Sequence, residues 1–393
     1  MRARHYRGES AMAKSLNSNL HRAAKKKNDE FYTQLADIEK EMKHYKSQFA
    51  GKVVYCNCDD PFESNFFKYF AANFKALKLK QLIATSYKPS PIANTQLRLF
   101  GNDETNKKPK GRPKVTANKF IINEVGDINN DGAFDLSDIA EQLKANKNNE
   151  WTPLEGDGDF RSAESIELLK HADIVVTNPP FSLFREYIAQ LVEYKKQFLI
   201  IGNTNSMTYR EIFRLFKEDK LRTGYTNFNV GMYFVVPDDW EKYHHIDDDG
   251  NKLARVSTSC WFTNLEVSKH TEDVTLYKKY SPEKYPKYEN FDAINVNKYT
   301  EIPCDYSGLM GVPITFLDKH NPAQFEIVGL GISNSGIEIG VEPYKPEHKK
   351  YRKEIQKRGA VDGDLYMMKD GVVEVPYARV IIKNKRIEEQ YED

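Results

Sequence analysis

The sequence has few cysteines, no long apolar run and almost no net charge. Cys56, Cys58, Cys260 and Cys304 are too few and too scattered for a disulfide framework, and Cys56-x-Cys58 lacks the second pair that a zinc site needs. No apolar stretch approaches the roughly 18 residues of a membrane span, and the basic start lacks the apolar centre of a signal peptide. The 58 basic and 57 acidic residues leave a net charge of +1, which by itself indicates no polyanionic partner. These absences predict a cytoplasmic globular protein.

Apolar runs alternate with amphipathic stretches in the first two thirds of the chain. Strand-like runs occupy 52–56, 80–86, 172–177 and 197–202, and helical spacing is found at 64–77, 163–170, 182–194 and 208–219. This alternation predicts an α/β fold, a Rossmann-like, doubly wound and mostly parallel sheet with helices on both faces. Ligands of such a sheet bind at the carboxyl ends of the strands.

Two regions depart from the alternation. Residues 88–150 are rich in Pro, Asn, Lys and Asp, which predicts a peripheral insertion carrying one hairpin around 119–125. From about residue 267 onward, Tyr, Pro, Lys and Asn dominate, with short β-like pieces at 312–317 and 378–382. The pattern therefore predicts a flexible N-terminus at 1–20, a ligand-binding domain at 21–266 with an insertion at about 88–150, and an irregular α+β region at 267–393.

The most informative stretch is 173–182, where an apolar strand leads into Asn178-Pro179-Pro180-Phe181. An exocyclic amine on a heteroaromatic ring is a poor nucleophile because its lone pair is delocalised, and two acceptors for its N–H groups would localise that pair. Oδ1 of Asn178 and the carbonyl of Pro179 can accept these bonds. Pro180 restricts the backbone beside that carbonyl, and Phe181 offers a ring for stacking. The alternative is an ordinary Pro-Pro turn, but the strand context favours a catalytic motif.

Residues 173–187, Asp-Ile-Val-Val-Thr-Asn-Pro-Pro-Phe-Ser-Leu-Phe-Arg-Glu-Tyr, resemble the active-site motif of the EcoRI-type adenine-specific DNA methyltransferases. Further blocks that resemble this family occur in the expected order at 28–34, 53–61, 156–162, 292–298 and 311–317. The resemblance runs from about residue 20 to the end, with its main departure in the insertion. It implies a class I methyltransferase fold, in which 21–266 binds S-adenosyl-L-methionine and carries catalysis, and 267–393 is a target-recognition domain.

The resemblance also implies a reaction. The methyl group of S-adenosyl-L-methionine would pass directly to N6 of an adenine in double-stranded DNA, and the adenine would be flipped out because a base inside a duplex cannot reach Asn178. A modification enzyme of this kind belongs to a restriction-modification system, has a cognate restriction endonuclease acting on the same site, and works as a monomer. Two alternatives stay open, namely a methyltransferase of RNA or protein glutamine, and an inactive DNA-binding protein on the same scaffold.

Three blocks supply the cofactor-binding candidates that the resemblance implies. They are Phe31, Tyr32 and Thr33 before the first strand, Asn57, Asp59, Asp60 and Pro61 in the first strand-to-helix turn, and Asp159 and Phe160 near the cofactor's adenine. The first turn lacks the glycines common in such folds, yet a carboxylate there can bind the cofactor's ammonium group. Adjacent acids before a proline could instead cap the following helix. The second strand ends in Thr85-Ser86-Tyr87, without the usual ribose-binding acid.

Two basic segments are candidates for DNA binding. Lys110, Arg112 and Lys114 surround a Gly-Arg-Pro core typical of an AT-hook, in which an arginine enters a narrow A·T minor groove, although a Pro-rich linker has the same composition. Lys350, Arg352 and Lys353 are candidate phosphate contacts, or simply a solvated face.

The spacing of acids at 127–138 is that of a calcium loop, but the loop ends in Asp instead of Glu. We interpret these residues as a polar turn and predict no metal site.

Overall fold

The computed structural model describes residues 32–58, 64–86, 117–126, 148–236 and 240–386. The chain forms two compact units, Met1–Asn203 with Asn229–Trp261, and Thr204–Phe228 with Phe262–Asp393. Residues 204–228, which the sequence pattern places in the first domain, thus group with the C-terminal residues. The predicted flexible N-terminus at 1–20 lies outside the described residues.

Short helices and strands make up both units. The α-helices are α1 (Leu35–Met42), α2 (Asn65–Ala72), α3 (Ala163–His171), α4 (Phe184–Glu193), α5 (Arg210–Lys217), α6 (Ser333–Glu338) and α7 (Pro346–Glu354). The strands up to residue 256 are β1 (Tyr32–Thr33), β2 (Val53–Cys56), β3 (Gln81–Thr85), β4 (Asn118–Ile122), β5 (Glu150–Pro153), β6 (Ile174–Thr177), β7 (Gln197–Asn203), β8 (Arg222–Thr223), β9 (Met232–Val235), β10 (His245–Ile246) and β11 (Lys252–Val256). The remaining strands are β12 (Ser259–Thr263), β13 (Ile294–Asn295), β14 (Met310–Pro313), β15 (Phe325–Gly331), β16 (Met367–Lys369), β17 (Val372–Glu374) and β18 (Arg379–Asn384). In the described segments, no helix has both the length and the apolarity needed to span a membrane.

Four parallel strands form the centre of the main sheet in the first unit, in the order β3-β2-β6-β7. Every residue of β2 and of β6 is buried, as expected for strands covered on both faces. The helices predicted around these strands are present as α2, α3 and α4. The expected α/β class is therefore confirmed as a mixed α/β fold containing mixed sheets.

The edge of this sheet differs from the insertion that the sequence predicted. β4 pairs antiparallel with β3, and β5 pairs antiparallel with β4, so residues 119–125 do not form a separate hairpin. Phe120 of β4 is buried and stacks on Trp151 of β5, with the ring centroids 5.3 Å apart. β4 and β5 therefore extend the main sheet at a place where a peripheral insertion was predicted. Residues 87–116 and 127–147 lie outside the described residues.

A second sheet in the first unit has the order β1-β9-β11-β10 and is antiparallel throughout. In β9 the buried residues Met232 and Phe234 alternate with half-buried Tyr233 and Val235. Phe234 lies opposite Thr33 of β1 on one side and Ala254 of β11 on the other. This pairing places Tyr32 and Thr33 alongside β9.

The second unit is built on a sheet of order β13-β14-β18-β15. β13 and β14 are parallel, whereas β18 is antiparallel to both β14 and β15. The strand predicted at 378–382 is confirmed as β18. The piece predicted at 312–317 is only half correct, because β14 ends at Pro313 and the chain turns into a 3₁₀ helix over Ile314–Asp318. Proline lacks the N–H that would continue the ladder.

Candidate active site

The catalytic motif and the first strand-to-helix turn meet at one edge of the main sheet. β6 ends at Thr177, immediately before Asn178, and its neighbour β2 ends at Cys56, immediately before Asn57. The hydroxyl of Thr177 donates a hydrogen bond to the carbonyl of Asn57. Two segments that are 120 residues apart in the sequence are thereby joined at the carboxyl ends of their strands, where ligands of parallel sheets bind.

The motif presents two hydrogen-bond acceptors. Asn178 is half-buried and its Oδ1 atom is buried. Pro180 has an extended backbone (φ −54°, ψ 124°), and its carbonyl accepts a hydrogen bond from the Leu183 N–H at 2.9 Å. No described residue donates a hydrogen bond to the carbonyl of Pro179. The two acceptors that the chemistry requires, Asn178 Oδ1 and the Pro179 carbonyl, are therefore adjacent in a backbone held by its prolines.

Phe181 is supported by a residue that the sequence pattern did not indicate. Its ring meets that of buried Phe234 edge to face, with centroids 6.3 Å apart and planes at 79°. Phe181 itself is half-exposed. Phe234 is held in the sheet between Thr33 and Ala254, so β9 fixes one side of the Phe181 ring while leaving part of that ring accessible. The sequence pattern predicted neither β9 nor its contact with Phe181.

The glycine-free turn uses a cysteine in a glycine-like conformation. Cys58 has φ +65°, in the left-handed region that glycine normally supplies. Asn57 is buried, and its Oδ1 accepts hydrogen bonds from Cys58 Sγ at 3.3 Å and from Thr85 Oγ1 at 3.5 Å. The Asn57 side chain thus ties the turn to the end of β3. Asp59, Asp60 and Pro61 lie outside the described residues.

The 31–33 block is attached to the helix that follows this turn. Ser64 is the N-cap of α2 and accepts hydrogen bonds from the backbone N–H groups of Phe66 and Phe67. The N-cap position is therefore filled without the acids at 59 and 60. Asn65 Nδ2 donates to the carbonyl of Thr33 at 2.8 Å, which joins β1 to the start of α2. Tyr32 and Thr33 are thereby brought to the catalytic edge, whereas Phe31 lies outside the described residues.

The segment before α3 packs tightly on the end of β3. Gly158 has φ +80°, and a Cβ atom there would lie 2.1 Å from the carbonyl oxygen of Ser86. The hydroxyl of Ser86 accepts a hydrogen bond from the Asn118 N–H at 2.9 Å, and the Thr85 hydroxyl is 3.0 Å from that of Tyr55. Both hydroxyls at the end of β3 are thus engaged within the protein. This arrangement positions Asp159 and Phe160 relative to the sheet.

Arg161 organises both predicted residues of this segment. Its Nε and Nη2 atoms donate to the two carboxylate oxygens of Asp159 at 2.9 and 2.7 Å, and its Nη1 donates to Glu186 of α4 at 3.0 Å. The guanidinium carbon lies 5.1 Å from the centre of the Phe160 ring. That ring is buried and packs edge to face on Tyr187, at 5.0 Å. Arg161 therefore links the Asp159-Phe160 pair to the helix that follows the catalytic motif.

Two opposing effects set the pKa of Asp159. Burial raises the pKa of this carboxyl, but the hydrogen bonds and the positive charge of Arg161 outweigh burial and lower it below its ordinary value. A lowered pKa stabilises the folded protein above the ordinary pKa of aspartate, and this contribution is lost as the pH falls through the folded-state value. The carboxylate of Asp159 is thus ionised at neutral pH.

Replacing Arg161 with methionine should reverse the direction of the pKa shift of Asp159. Burial then acts on Asp159 without a cationic partner, so its pKa rises above the ordinary value and the ionised form destabilises the fold at neutral pH. We expect a loss of roughly 2 kcal/mol in the free energy of unfolding at about pH 7, and a smaller loss at about pH 5, where protonation relieves the uncompensated charge. Urea unfolding at both pH values measures the difference.

Glu186→Gln is the matched control, because it removes the other partner of Arg161. The Glu186 side chain is 52% exposed, so its loss should change stability by less than about 1 kcal/mol at either pH. A loss of stability in Arg161→Met that does not depend on pH would contradict the assigned role of Arg161.

The candidates for DNA binding fall into two groups. Lys110, Arg112 and Lys114 lie outside the described residues, as does the acid-rich stretch at 127–138. Lys350, Arg352 and Lys353 lie on α7, a helix without buried residues. The Arg352 guanidinium donates to the Gly359 carbonyl and to Gln356, so it holds the chain that follows the helix. Lys350 is exposed, with Glu354 at 4.0 Å, and Lys353 is exposed as well.

The sequence of the chain is similar to those of known methyltransferases. Residues 19–385 match the family model described as adenine-specific methyltransferase EcoRI. The chain is 42% identical to the Type II methyltransferase M.EcoRI of Escherichia coli over 378 residues, which cover 95% of this chain and 98% of that protein.

Two mycoplasma proteins are also similar. The Type II methyltransferase M.MpnI of Mycoplasma pneumoniae is 38% identical over 79% of this chain and 84% of its own length. M.MgeORF184P of Mycoplasma genitalium is 39% identical over 79% of this chain and 85% of its own length. No solved structure is significantly similar. A family match over nearly the whole chain, together with relatives at this identity, shows that the protein belongs to the EcoRI family of adenine-specific methyltransferases.

Proposed function

We propose that the protein methylates N6 of adenine at specific sites in double-stranded DNA, as the modification enzyme of a restriction-modification system. The observation that carries this proposal is the pair of acceptors at the end of β6, Asn178 Oδ1 and the Pro179 carbonyl, beside the supported ring of Phe181. Membership of the EcoRI family selects adenine among the amines that such a pair could serve. The Type II designation of its relatives supports the restriction-modification context.

S-Adenosyl-L-methionine is the methyl donor in this proposal, on a Rossmann-like class I sheet. Tyr32, Thr33 and the turn after β2 would hold its methionine end, and Asp159 with Phe160 would hold its adenine. Cys58 has the left-handed backbone conformation that glycine usually supplies in such a turn. The ionised Asp159 carboxylate can accept hydrogen bonds from an amine. When bound, this cofactor supplies a methyl group on a positively charged sulfur.

The chain's own residues prepare the adenine. Asn178 Oδ1 and the Pro179 carbonyl accept hydrogen bonds from the two N–H groups of N6, which localises the nitrogen lone pair and orients it. Phe181 stacks on the flipped base, and Phe234 keeps the Phe181 ring in place. The bond from N6 to the methyl carbon would form as the carbon–sulfur bond of the donor breaks, and one proton of N6 would then pass to water. No strongly basic side chain is required.

The remaining expectations belong to the same proposal. Residues 267–393 recognise the target sequence, and the AT-hook-like segment at 110–114 and the cations of α7 contact phosphates. A cognate restriction endonuclease shares the site, and the enzyme is a monomer. A cytoplasmic location accords with four cysteines that form no disulfide.

Transfer of labelled methyl groups tests this proposal. The purified protein, with labelled S-adenosyl-L-methionine, should label duplex DNA and leave RNA and a glutamine-containing peptide unlabelled. Sequencing that detects modified bases, on DNA from cells expressing the protein, should then place N6-methyladenine in one sequence context. Labelling of the peptide or RNA in preference to DNA would overturn the substrate assignment. Absence of cofactor binding in a calorimetric titration would favour an inactive DNA-binding protein.

A further inference from the structure

Arg379 in the second unit is an ordered arginine without a carboxylate partner among the described residues. Among the seven arginines described in this unit, Arg210, Arg214, Arg222 and Arg386 each have a carboxylate oxygen within 2.9 Å, whereas Arg352, Arg358 and Arg379 have no described carboxylate within 4.0 Å. Half-buried Arg379, at the start of β18, has no carboxylate within 4.0 Å among the residues that the structure describes. An arginine side chain stays protonated in proteins. Its positive charge is therefore left uncompensated by the fold around it.

Neutral acceptors hold the Arg379 guanidinium in place. Nε donates to Asn295 Oδ1 at 3.1 Å, and Nη1 donates to the carbonyl of Tyr377 at 3.2 Å. These two bonds use two of the five N–H groups of the side chain. Among the described residues, no carboxylate or carbonyl accepts a hydrogen bond from Nη2, and the Tyr288 hydroxyl is the other polar group beside the guanidinium. The guanidinium is thus oriented by the protein while one end remains available to an anion.

The acceptor on Asn295 is itself fixed. Its Oδ1 also accepts a hydrogen bond from the Tyr288 hydroxyl at 2.8 Å, and its Nδ2 donates to Asn297 Oδ1 at 2.9 Å. Burial raises the pKa of Tyr288, so the phenol stays a neutral donor. Gly311 gives the phenol room, since a Cβ there would lie 2.3 Å from the Tyr288 oxygen. Asn295 from the segment at 292–298 thus contacts the guanidinium directly, and Gly311 from the segment at 311–317 makes room for the phenol that holds Asn295.

We propose that Arg379 binds a backbone phosphate of the DNA substrate. A fixed guanidinium loses little side-chain entropy on binding, and its fork of N–H groups matches the oxygens of a phosphodiester. Every position of the substrate carries this anion, and Arg379 is itself partly exposed, next to exposed Tyr377. The inference rests on the proposed function, because it takes duplex DNA as the substrate.

Arg379→Gln and Arg214→Gln form a matched pair of full-length variants. Both remove one arginine of the second unit, but Arg214 is 76% exposed and already paired with Glu218. Anisotropy titrations of labelled duplexes between about 50 and 200 mM salt should show affinity weakened roughly tenfold in Arg379→Gln, with the salt slope of log Kd reduced by about 0.9. The loss should be similar on target and non-target duplexes. Arg214→Gln should match the wild type.

A second variant keeps Arg379 and places a negative charge beside its guanidinium. Asn295→Asp replaces the amide acceptor with a carboxylate of the same shape, which would neutralise Arg379, and we expect it to weaken DNA binding in the same sequence-independent way. Urea unfolding and cofactor titration verify that both variants are folded. An unchanged salt slope in Arg379→Gln, or a loss confined to the target duplex, would overturn the phosphate assignment. Failure of the wild type to methylate DNA would instead refute the proposed function.

Discussion

Asn178→Ala should lower the single-turnover rate of methyl transfer by about 100- to 1000-fold, the range observed when one preorganised hydrogen-bonding group is removed from a transition state. The amide oxygen is buried at the end of β6, where water does not weaken its bond to the reacting amine. Affinity for the cofactor and the free energy of unfolding should change little, because the hydrogen bond that joins β6 to the first turn comes from Thr177. Rapid-quench measurements with labelled cofactor give the rate.

Asn178→Gln is the companion variant, since it retains the amide but displaces it by one methylene group. Misplacement by about 1 Å can lower a rate by about 100-fold, so this variant should also be severely slowed. Full activity in Asn178→Ala would remove Asn178 from the mechanism. Full activity in Asn178→Gln together with an inactive Asn178→Ala would show that the reaction needs an amide but does not depend on its exact position.

The parallel core was predictable because its strands carry their own signal. β2 and β6 are uninterrupted apolar segments, and the helices beside them begin and end within a few residues of the predicted bounds. The position of Asn178-Pro179-Pro180-Phe181 at the end of β6 was predictable for the same reason, since a buried strand fixes which end of the sheet its last residues reach. The local hydrophobic pattern of the sequence is sufficient to predict the position of a segment that one strand determines.

Contacts between distant segments were not predictable. β4 pairs with β5 across about 30 residues of sequence, and Phe120 stacks there on Trp151. Phe234 is held by the pairing of β9 with β1 and β11, and it contacts Phe181. Such partners depend on tertiary packing, which overrides local composition. The Pro- and Asn-rich composition of 88–150 therefore indicated a peripheral insertion with one hairpin, whereas β4 and β5 belong to the main sheet.

The first turn contains a left-handed residue although it has no glycine. Absence of glycine raised the possibility of a degenerate cofactor site, but Cys58 adopts the left-handed conformation itself and its thiol bonds Asn57. Such a conformation costs roughly 1–2 kcal/mol in a residue with a side chain. The bonds from Thr177 and Thr85 to Asn57 hold the turn against that cost. A search for glycines alone cannot detect this solution.

Gly158→Ala should destabilise the protein by about 3 kcal/mol, combining the overpacking of a filled site with the strain of a left-handed alanine. The new methyl group would lie 2.1 Å from the Ser86 carbonyl oxygen and 3.2 Å from the Ala117 Cβ. Backbone has to move because neither neighbour is a flexible side chain. Asp159 and Phe160 would move with it, so cofactor affinity should fall at least tenfold under conditions where the variant is still folded. Urea unfolding and calorimetric titration measure the two effects.

Gly156→Ala isolates the cause, because it makes the same chemical change two residues earlier in the same loop. A Cβ at position 156 meets no atom within 4 Å, and the backbone there is not in the left-handed region. This variant should differ from the wild type by less than about 0.5 kcal/mol and bind the cofactor normally. Equal losses in both variants would mean that the loop requires general flexibility. A loss confined to Gly158→Ala would show that close packing of the loop on β3 positions Asp159 and Phe160.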